Sequence, residues 1–138
     1  MKTDLESKAS CFVSKITQLF QNMSGPESYI PLYLEDSDFF FESEQLPWHK
    51  LSSDFYVKNI SSAVFSSDDY FKYYLPGFMI SALTRNNECG LLIDEILLSR
   101  CCFEDGNKIV LKIDLKGFSH EQIELVTDVM IFFRNEDL

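Results

Sequence analysis

The stretch "SSDDYFKYYLPGFMISAL", residues 66–83, decides the fold because it joins a helix start to a long apolar pattern that contains a proline. Ser66 or Ser67 is a natural N-cap, and Asp68 and Asp69 follow in the first turn, where the helix dipole favours acids. Large apolar residues then recur with a period near 3.6, which predicts a helix. Pro76 removes one backbone hydrogen bond, so we expect it to kink this helix or divide it into two.

Helical patterns lie on both sides of this stretch. Residues 4–20 predict an amphipathic helix, and residues 51–66 predict one or two short helical turns. Residues 89–103 are apolar almost all round, so we expect a third helix there in a central position. The buried face of the first helix is predicted to hold Leu5, Ala9, Phe12, Val13, Ile16, Leu19 and Phe20.

The last helix has the clearest start signal in the chain. Ser119 and Gln122 form an S-x-x-Q capping box, and Phe118 and Ile123 form the matching hydrophobic staple. Arg134 stands near the C-terminal end, where the dipole favours a cation. The predicted buried stripe contains Ile123, Val126, Val129, Met130 and Phe133.

Between these helices the sequence leaves room for a small β element. Residues 104–107, "EDGN", predict a turn, and residues 108–118 alternate apolar and polar positions as in a strand or an extended linker. Residues 26–48 show neither a sustained helical period nor a sustained strand period. We therefore predict one domain over residues 1–138 that is mainly α-helical, with about four to six helices.

The charge balance narrows the classes of partner. Twenty-two acids against twelve bases give a formal net charge of −10. Such a field repels nucleic acids and anionic membranes, and it favours a basic protein partner or simply solubility. No secretory signal or membrane-spanning run is evident, so we expect a cytoplasmic protein.

Residues that could support a metal, cofactor or phosphate site are sparse. His49 and His120 have no cysteine or histidine at ligand spacing, and the five glycines are isolated, which does not favour a phosphate loop. We therefore predict no metal and no cofactor. The expected state of the cysteines is a free, buried thiol in a reducing compartment; they are Cys11, Cys89, Cys101 and Cys102.

One pair of acids could carry chemistry. Asp94 and Glu95 interrupt an otherwise apolar helix, and a buried carboxylate could act as a general acid in a hydrolase. The alternative is that the helix has one narrow solvated face. Since no catalytic motif accompanies the pair, we expect that the protein is not an enzyme.

Residues 33–48, "YLEDSDFFFESEQLPW", combine five acids with aromatic rings and contain no lysine or arginine. In one interpretation the rings fill pockets at the centre of an interface and the carboxylates pair with the bases of a partner. In the other, the rings face the core and the acids keep a loop solvated. For Asp68 and Asp69 the alternative to partner binding is a role at the helix start.

The segment "FKYYLPGF", residues 71–78, resembles a family of small uncharacterised bacterial proteins marked by an F-x-Y-Y-L-P-x-F/Y helix. In that family the helix follows a W-x-x-L element, here Trp48 to Leu51, and the chain closes with a capped helix, here "FSHEQIELVTDVMIFF". The family has no established active site. The resemblance implies a packing role around a kinked helix for Tyr73, Tyr74, Leu75, Pro76 and Phe78; the alternative is that these positions form a binding site.

A small, acidic chain that is poor in motifs also resembles, in type, the immunity proteins of contact-dependent growth-inhibition toxin systems. This resemblance implies a non-catalytic protein that covers the basic cleft of a cognate toxin, such as a nuclease, with an acidic, aromatic-rich surface. The alternative is a regulatory or scaffold domain, and the oligomeric state stays open. The predicted partner-binding residues are Glu35, Asp36, Asp38, Phe40, Glu42, Glu44, Trp48, Asp68 and Asp69.

Overall fold

A computed structural model describes residues 4–23, 43, 46–64, 66–85 and 92–135. These residues are mainly α-helical, as predicted, and they also hold a two-stranded antiparallel sheet. The helices are α1 (Asp4–Phe20), α2 (Ser53–Ala63), α3 (Asp68–Phe71), α4 (Leu75–Arg85), α5 (Ile93–Cys101) and α6 (His120–Asn135), with a 3-10 turn at Trp48–Lys50 and strands β1 (Cys102–Asp105) and β2 (Lys108–Leu111).

Helix α4 lies at the centre of the described fold. It packs against α1, α2 and α5, while α6 packs against α1 and α5. Its side chains at Leu75, Phe78, Met79 and Ala82 are completely buried. We expected α5 to be the central helix, but α5 buries one face only, and Leu92 at its start is 39% exposed.

Residues 68–85 form two helices, so the predicted division of the pattern is observed, but the break lies at residues 72–74, ahead of Pro76, and not at a hydrogen bond that Pro76 removes. Ser67 caps α3, because its side chain accepts a hydrogen bond from the Tyr70 amide at 3.3 Å. A turn over residues 72–74 then separates α3 from α4. Pro76 lies in the first turn of α4, where its missing amide hydrogen breaks no intrahelical bond.

Helix α2 is longer than the one or two turns predicted for this region. It runs for 11 residues from the N-cap Ser52, whose hydroxyl accepts from the Phe55 amide at 3.2 Å. Phe55, Tyr56 and Ile60 are buried on one face. Tertiary packing of this face, rather than a strong local pattern, stabilises the extra turns.

The region after α5 corrects two predictions. The helix ends at Cys101, and residues 102–105, predicted as helix and turn, form β1. This strand pairs with β2, with Phe103 opposite Val110, and Gly106 turns the chain with φ +65°. The strand predicted over residues 108–118 is confirmed only as far as Leu111.

The start of α6 confirms the capping box. The Ser119 amide donates to Gln122 Oε1 at 2.8 Å, and the Gln122 amide donates to Ser119 Oγ at 3.1 Å. Gln122 Nε2 also donates to the Leu19 carbonyl at 2.9 Å, which ties α6 to α1. The predicted stripe is buried at Val126, Val129, Met130 and Phe133. None of the described helices is both long and apolar enough to cross a membrane.

Candidate functional site

Three of the nine predicted partner-binding residues fall within the described parts of the chain: Trp48, Asp68 and Asp69. They occupy three different surroundings. The other six, Glu35, Asp36, Asp38, Phe40, Glu42 and Glu44, lie outside the described residues, and their role stays a prediction.

Trp48 is part of the core. Its indole Nε1 donates to the Phe20 carbonyl at 2.9 Å, and its own carbonyl accepts from the Tyr56 hydroxyl at 2.6 Å. The ring is buried, so it fits the interpretation in which aromatic side chains of this segment face inward. A partner that contacts Trp48 would have to reach it through residues that cover the ring.

Asp68 uses both carboxylate oxygens inside the protein. Oδ1 accepts from Arg100 Nη2 at 2.6 Å, and Oδ2 accepts from the Asp114 amide at 2.8 Å. Only a third of its side chain is exposed. Asp68 therefore joins α3 to α5 and to the chain after β2, in addition to its favourable place at the start of α3.

Asp69 has the opposite surroundings. Its side chain is 86% exposed, and its nearest described cation is Lys72 Nζ at 3.5 Å. Lys72 itself is buried, and its ammonium donates to the Lys116 carbonyl at 2.6 Å. Asp69 thus presents a solvated carboxylate beside a cation that is already held in place.

The outer face of α6 carries further exposed acids that were not predicted from the sequence as candidate site residues. Glu121, Glu124 and Asp128 are exposed and share one helix face, because they stand at positions i, i+3 and i+7. Glu124 lies 3.7 Å from the ring of His120. The signal was present in the sequence, since these acids lie opposite the predicted apolar stripe.

Arg100 organises the region between α2, α3 and α5. Its Nε donates to the Val64 carbonyl and its Nη2 to the Ser66 carbonyl, both at 3.1 Å, in addition to the bond to Asp68. The guanidinium lies 4.8 Å from the centre of the Phe71 ring, a favourable cation–π distance. Nothing local in the sequence predicted this role, because the hydrogen-bond partners are 32–36 residues away.

A groove of about 730 Å³ opens beside Arg100. Its apolar surface comes from the end of α2 and from the start and middle of α5, and its polar surface comes from α5 and from the residue that follows β2. The lining residues are Val64, Leu92, Glu95, Ile96, Ser99, Arg100 and Lys112.

The carboxylates considered for hydrolysis are separated by the fold. Asp94 is buried on the core side of α5, whereas the Glu95 side chain lines the groove. They do not face one cavity as a pair of catalytic acids requires. A hydrolase hypothesis would have to rest on Glu95, and our expectation that the protein is not an enzyme stays a prediction.

The described cysteines correct the expectation that all thiols are buried. Cys11 is exposed on α1, whereas Cys101 and Cys102 are buried. Burial raises the pKa of the Cys101 thiol to about 12 and that of Cys102 to about 11, because a thiolate would lose its hydration there. Both buried thiols are therefore neutral and unreactive near pH 7.

Tyrosine hydroxyls are buried around the junction of α3 and α4. Ser43 Oγ and the Tyr70 hydroxyl lie 2.5 Å apart, within hydrogen-bond distance. Burial raises the pKa of Tyr70, and it also raises the pKa of Tyr56 and Tyr74.

His49 and His120 are exposed, and the part of the chain that the structure describes holds no group of three potential metal ligands.

Comparison with known protein families, curated proteins and solved structures finds no match to this chain. The two resemblances noted in the sequence therefore stay expectations. The packing role that the first one implies is confirmed for Tyr74, Leu75, Pro76 and Phe78, which are all buried, while Tyr73 is half-buried.

Proposed function

We propose that this protein is an immunity protein that binds and neutralises a cognate bacterial toxin, a nuclease with a basic active-site cleft. The observation that carries the proposal is the net charge of −10, together with the run of acids over residues 33–48. Carboxylates on such a surface can occupy the cleft in place of the phosphates of the toxin's substrate.

The described surface supports this proposal with solvated acids that can attract a partner at a distance. Asp69 projects into solvent from α3, and Glu121, Glu124 and Asp128 do so from α6. Exposed carboxylates contribute to the electrostatic field that attracts a basic protein. Asp68 contributes less to such a contact because both of its oxygens bind within the fold.

The expected benefit of this charge is a fast association. Complementary charge can raise the association rate constant to about 10⁸–10⁹ M⁻¹ s⁻¹ at low salt, against about 10⁵–10⁶ M⁻¹ s⁻¹ for neutral surfaces. A toxin must be captured before it cleaves its substrate, so speed has direct value. Salt screens this attraction over about 8–10 Å under physiological conditions.

A non-catalytic regulatory or scaffold domain is the alternative function. It would use the same acidic surface without a toxin. The position of the gene separates the two, since an immunity gene usually lies directly downstream of the toxin gene.

The test is to express this chain with the C-terminal domain encoded by the gene immediately upstream, with a tag on one of the two. We expect a stable complex, and we expect cells to survive expression of that domain only when this chain is present. Absence of both the complex and the protection would reject the proposal for this pair of proteins.

A matched pair of charge reversals locates the interface. Changing Glu42 and Glu44 to lysine should weaken capture at least about tenfold, because two attractive contacts become repulsive. The control changes Glu104 and Asp105, which are exposed on β1, to lysine and alters the net charge equally. Residues 33–48 are not the interface if both variants lose the same affinity for the partner. The same conclusion follows if a variant that reverses Asp36, Asp38, Glu42 and Glu44 together binds the partner as tightly as the original protein.

A further inference from the structure

The groove beside α5 differs in charge from the rest of the protein. Two cations, Arg100 and Lys112, and one carboxylate, Glu95, line it, although the chain as a whole has a net charge of −10. Leu92, Val64 and Ile96 supply an apolar wall to the same groove. Its volume of about 730 Å³ lies within the range of about 300–1,000 Å³ that is usual for small-molecule sites.

The guanidinium of Arg100 is fixed in place before any ligand arrives. Two backbone carbonyls, Asp68 and the ring of Phe71 hold it. These hydrogen bonds leave from Nε and Nη2, so among the described residues Nη1 keeps its donors for a further acceptor. A donor held this way costs little conformational entropy when it binds an anion.

Lys112 provides the second cation from the residue just after β2. Its amide donates to the Cys101 carbonyl at 2.8 Å, which fixes the backbone at this point, and its side chain is exposed. Within the described parts of the chain its ammonium forms no ion pair.

We propose that this groove binds a small monoanionic carboxylate with an apolar body. The carboxylate pairs with Lys112 and with Nη1 of Arg100, and the apolar body lies against Leu92, Val64 and Ile96. The charge of Glu95 disfavours a ligand with a second negative charge, since like charges repel. This inference does not depend on a toxin partner, and its test involves none of residues 33–48.

The test is an NMR titration of the labelled protein with octanoate, compared with octanol, which has the same apolar body without the charge. We expect saturable amide shifts at Val64, Leu92 and Ile96 with octanoate. Octanol should bind more weakly by at least about threefold, because it cannot form the exposed charge pair that contributes to octanoate binding. Absence of saturable shifts at these three residues, or equal binding of octanol, would overturn the proposal.

Two lysine variants show whether the charge acts locally. Lys112→Gln should weaken octanoate binding by about threefold to tenfold, because it removes one charge-assisted contact. Lys108→Gln makes the same change of charge at an exposed position of β2 outside the groove lining and should leave binding unchanged. Equal losses in the two variants would contradict a site at Lys112.

Discussion

The junction of α3 with α4 and the hairpin of β1 with β2 place aromatic side chains in opposite surroundings. At the junction, Phe71 and Phe78 are completely buried, and their rings stack with centres 5.4 Å apart. On the hairpin, Phe103 is 50% exposed, and Val110 opposite it is also exposed. Since stability follows the apolar area removed from water, the junction stabilises the fold far more than the hairpin does.

The largest expected difference comes from removing one ring from each region. Phe78→Ala should lower the free energy of unfolding by about 3–5 kcal/mol, because it leaves a cavity in the core and removes the contacts with Phe71 and Tyr56. Phe103→Ala should lower it by less than about 1 kcal/mol. Urea unfolding followed by circular dichroism measures both, and equal losses would show that the hairpin is part of the stabilising core.

The next largest difference separates the adjacent acids of α3. Asp68→Asn should cost about 1–3 kcal/mol, because it removes the charge that holds Arg100 and leaves that guanidinium without its ion pair. Asp69→Asn should change stability by no more than about 0.5 kcal/mol, since its carboxylate is solvated. The same unfolding assay applies, and a larger cost for Asp69 would contradict the assigned surroundings.

A smaller effect tests the thiols where the chain passes from α5 into the hairpin. Raising the pH from 8 to 9 should lower the free energy of unfolding by about 0.5–1 kcal/mol, because thiols ionise in the unfolded chain but not at Cys101 and Cys102. The folded pKa values are raised, so the stabilising contribution of the two thiols is complete only well below the ordinary thiol pKa of about 8.5. It declines as the pH passes that value and is lost toward pH 11–12.

Cysteine variants assign that pH dependence to specific thiols. Replacing both Cys101 and Cys102 with alanine should flatten the decline between pH 8 and 9, whatever the change in absolute stability. Cys11→Ala, which removes a thiol from an exposed position, is the control variant. If the decline persists in the double variant, other groups cause it.

The parts of the fold that were predicted correctly have short-range causes. The bounds of α1, the capping box of α6 and the division of residues 66–83 into two helices all follow from residues a few positions apart. Strand β1 was missed because it exists through pairing with residues 108–111 and has little pattern of its own. The extent of α2 was missed for a similar reason, since its burial depends on α4 and α5.

Prediction from the sequence has the same limit at single residues of the candidate site, because their contacts depend on the fold. Asp68 and Asp69 are neighbours with the same chemistry, yet only the fold brings Arg100 and Asp114 to the first of them. The sequence also could not show that Trp48 is buried or that Arg100 and Lys112 share a groove with Glu95. The net charge can be counted without knowing any tertiary contact, so the expectation of a basic partner rests directly on the sequence.

The most direct test of the proposed function is the association rate constant between this protein and the domain encoded immediately upstream, measured by stopped flow over a series of salt concentrations. An acidic protein that captures a basic toxin should associate at about 10⁸ M⁻¹ s⁻¹ or faster at low salt and slow steeply as salt screens the charges. An association rate that does not change with salt, or no association at any salt concentration, would contradict capture through the acidic surface.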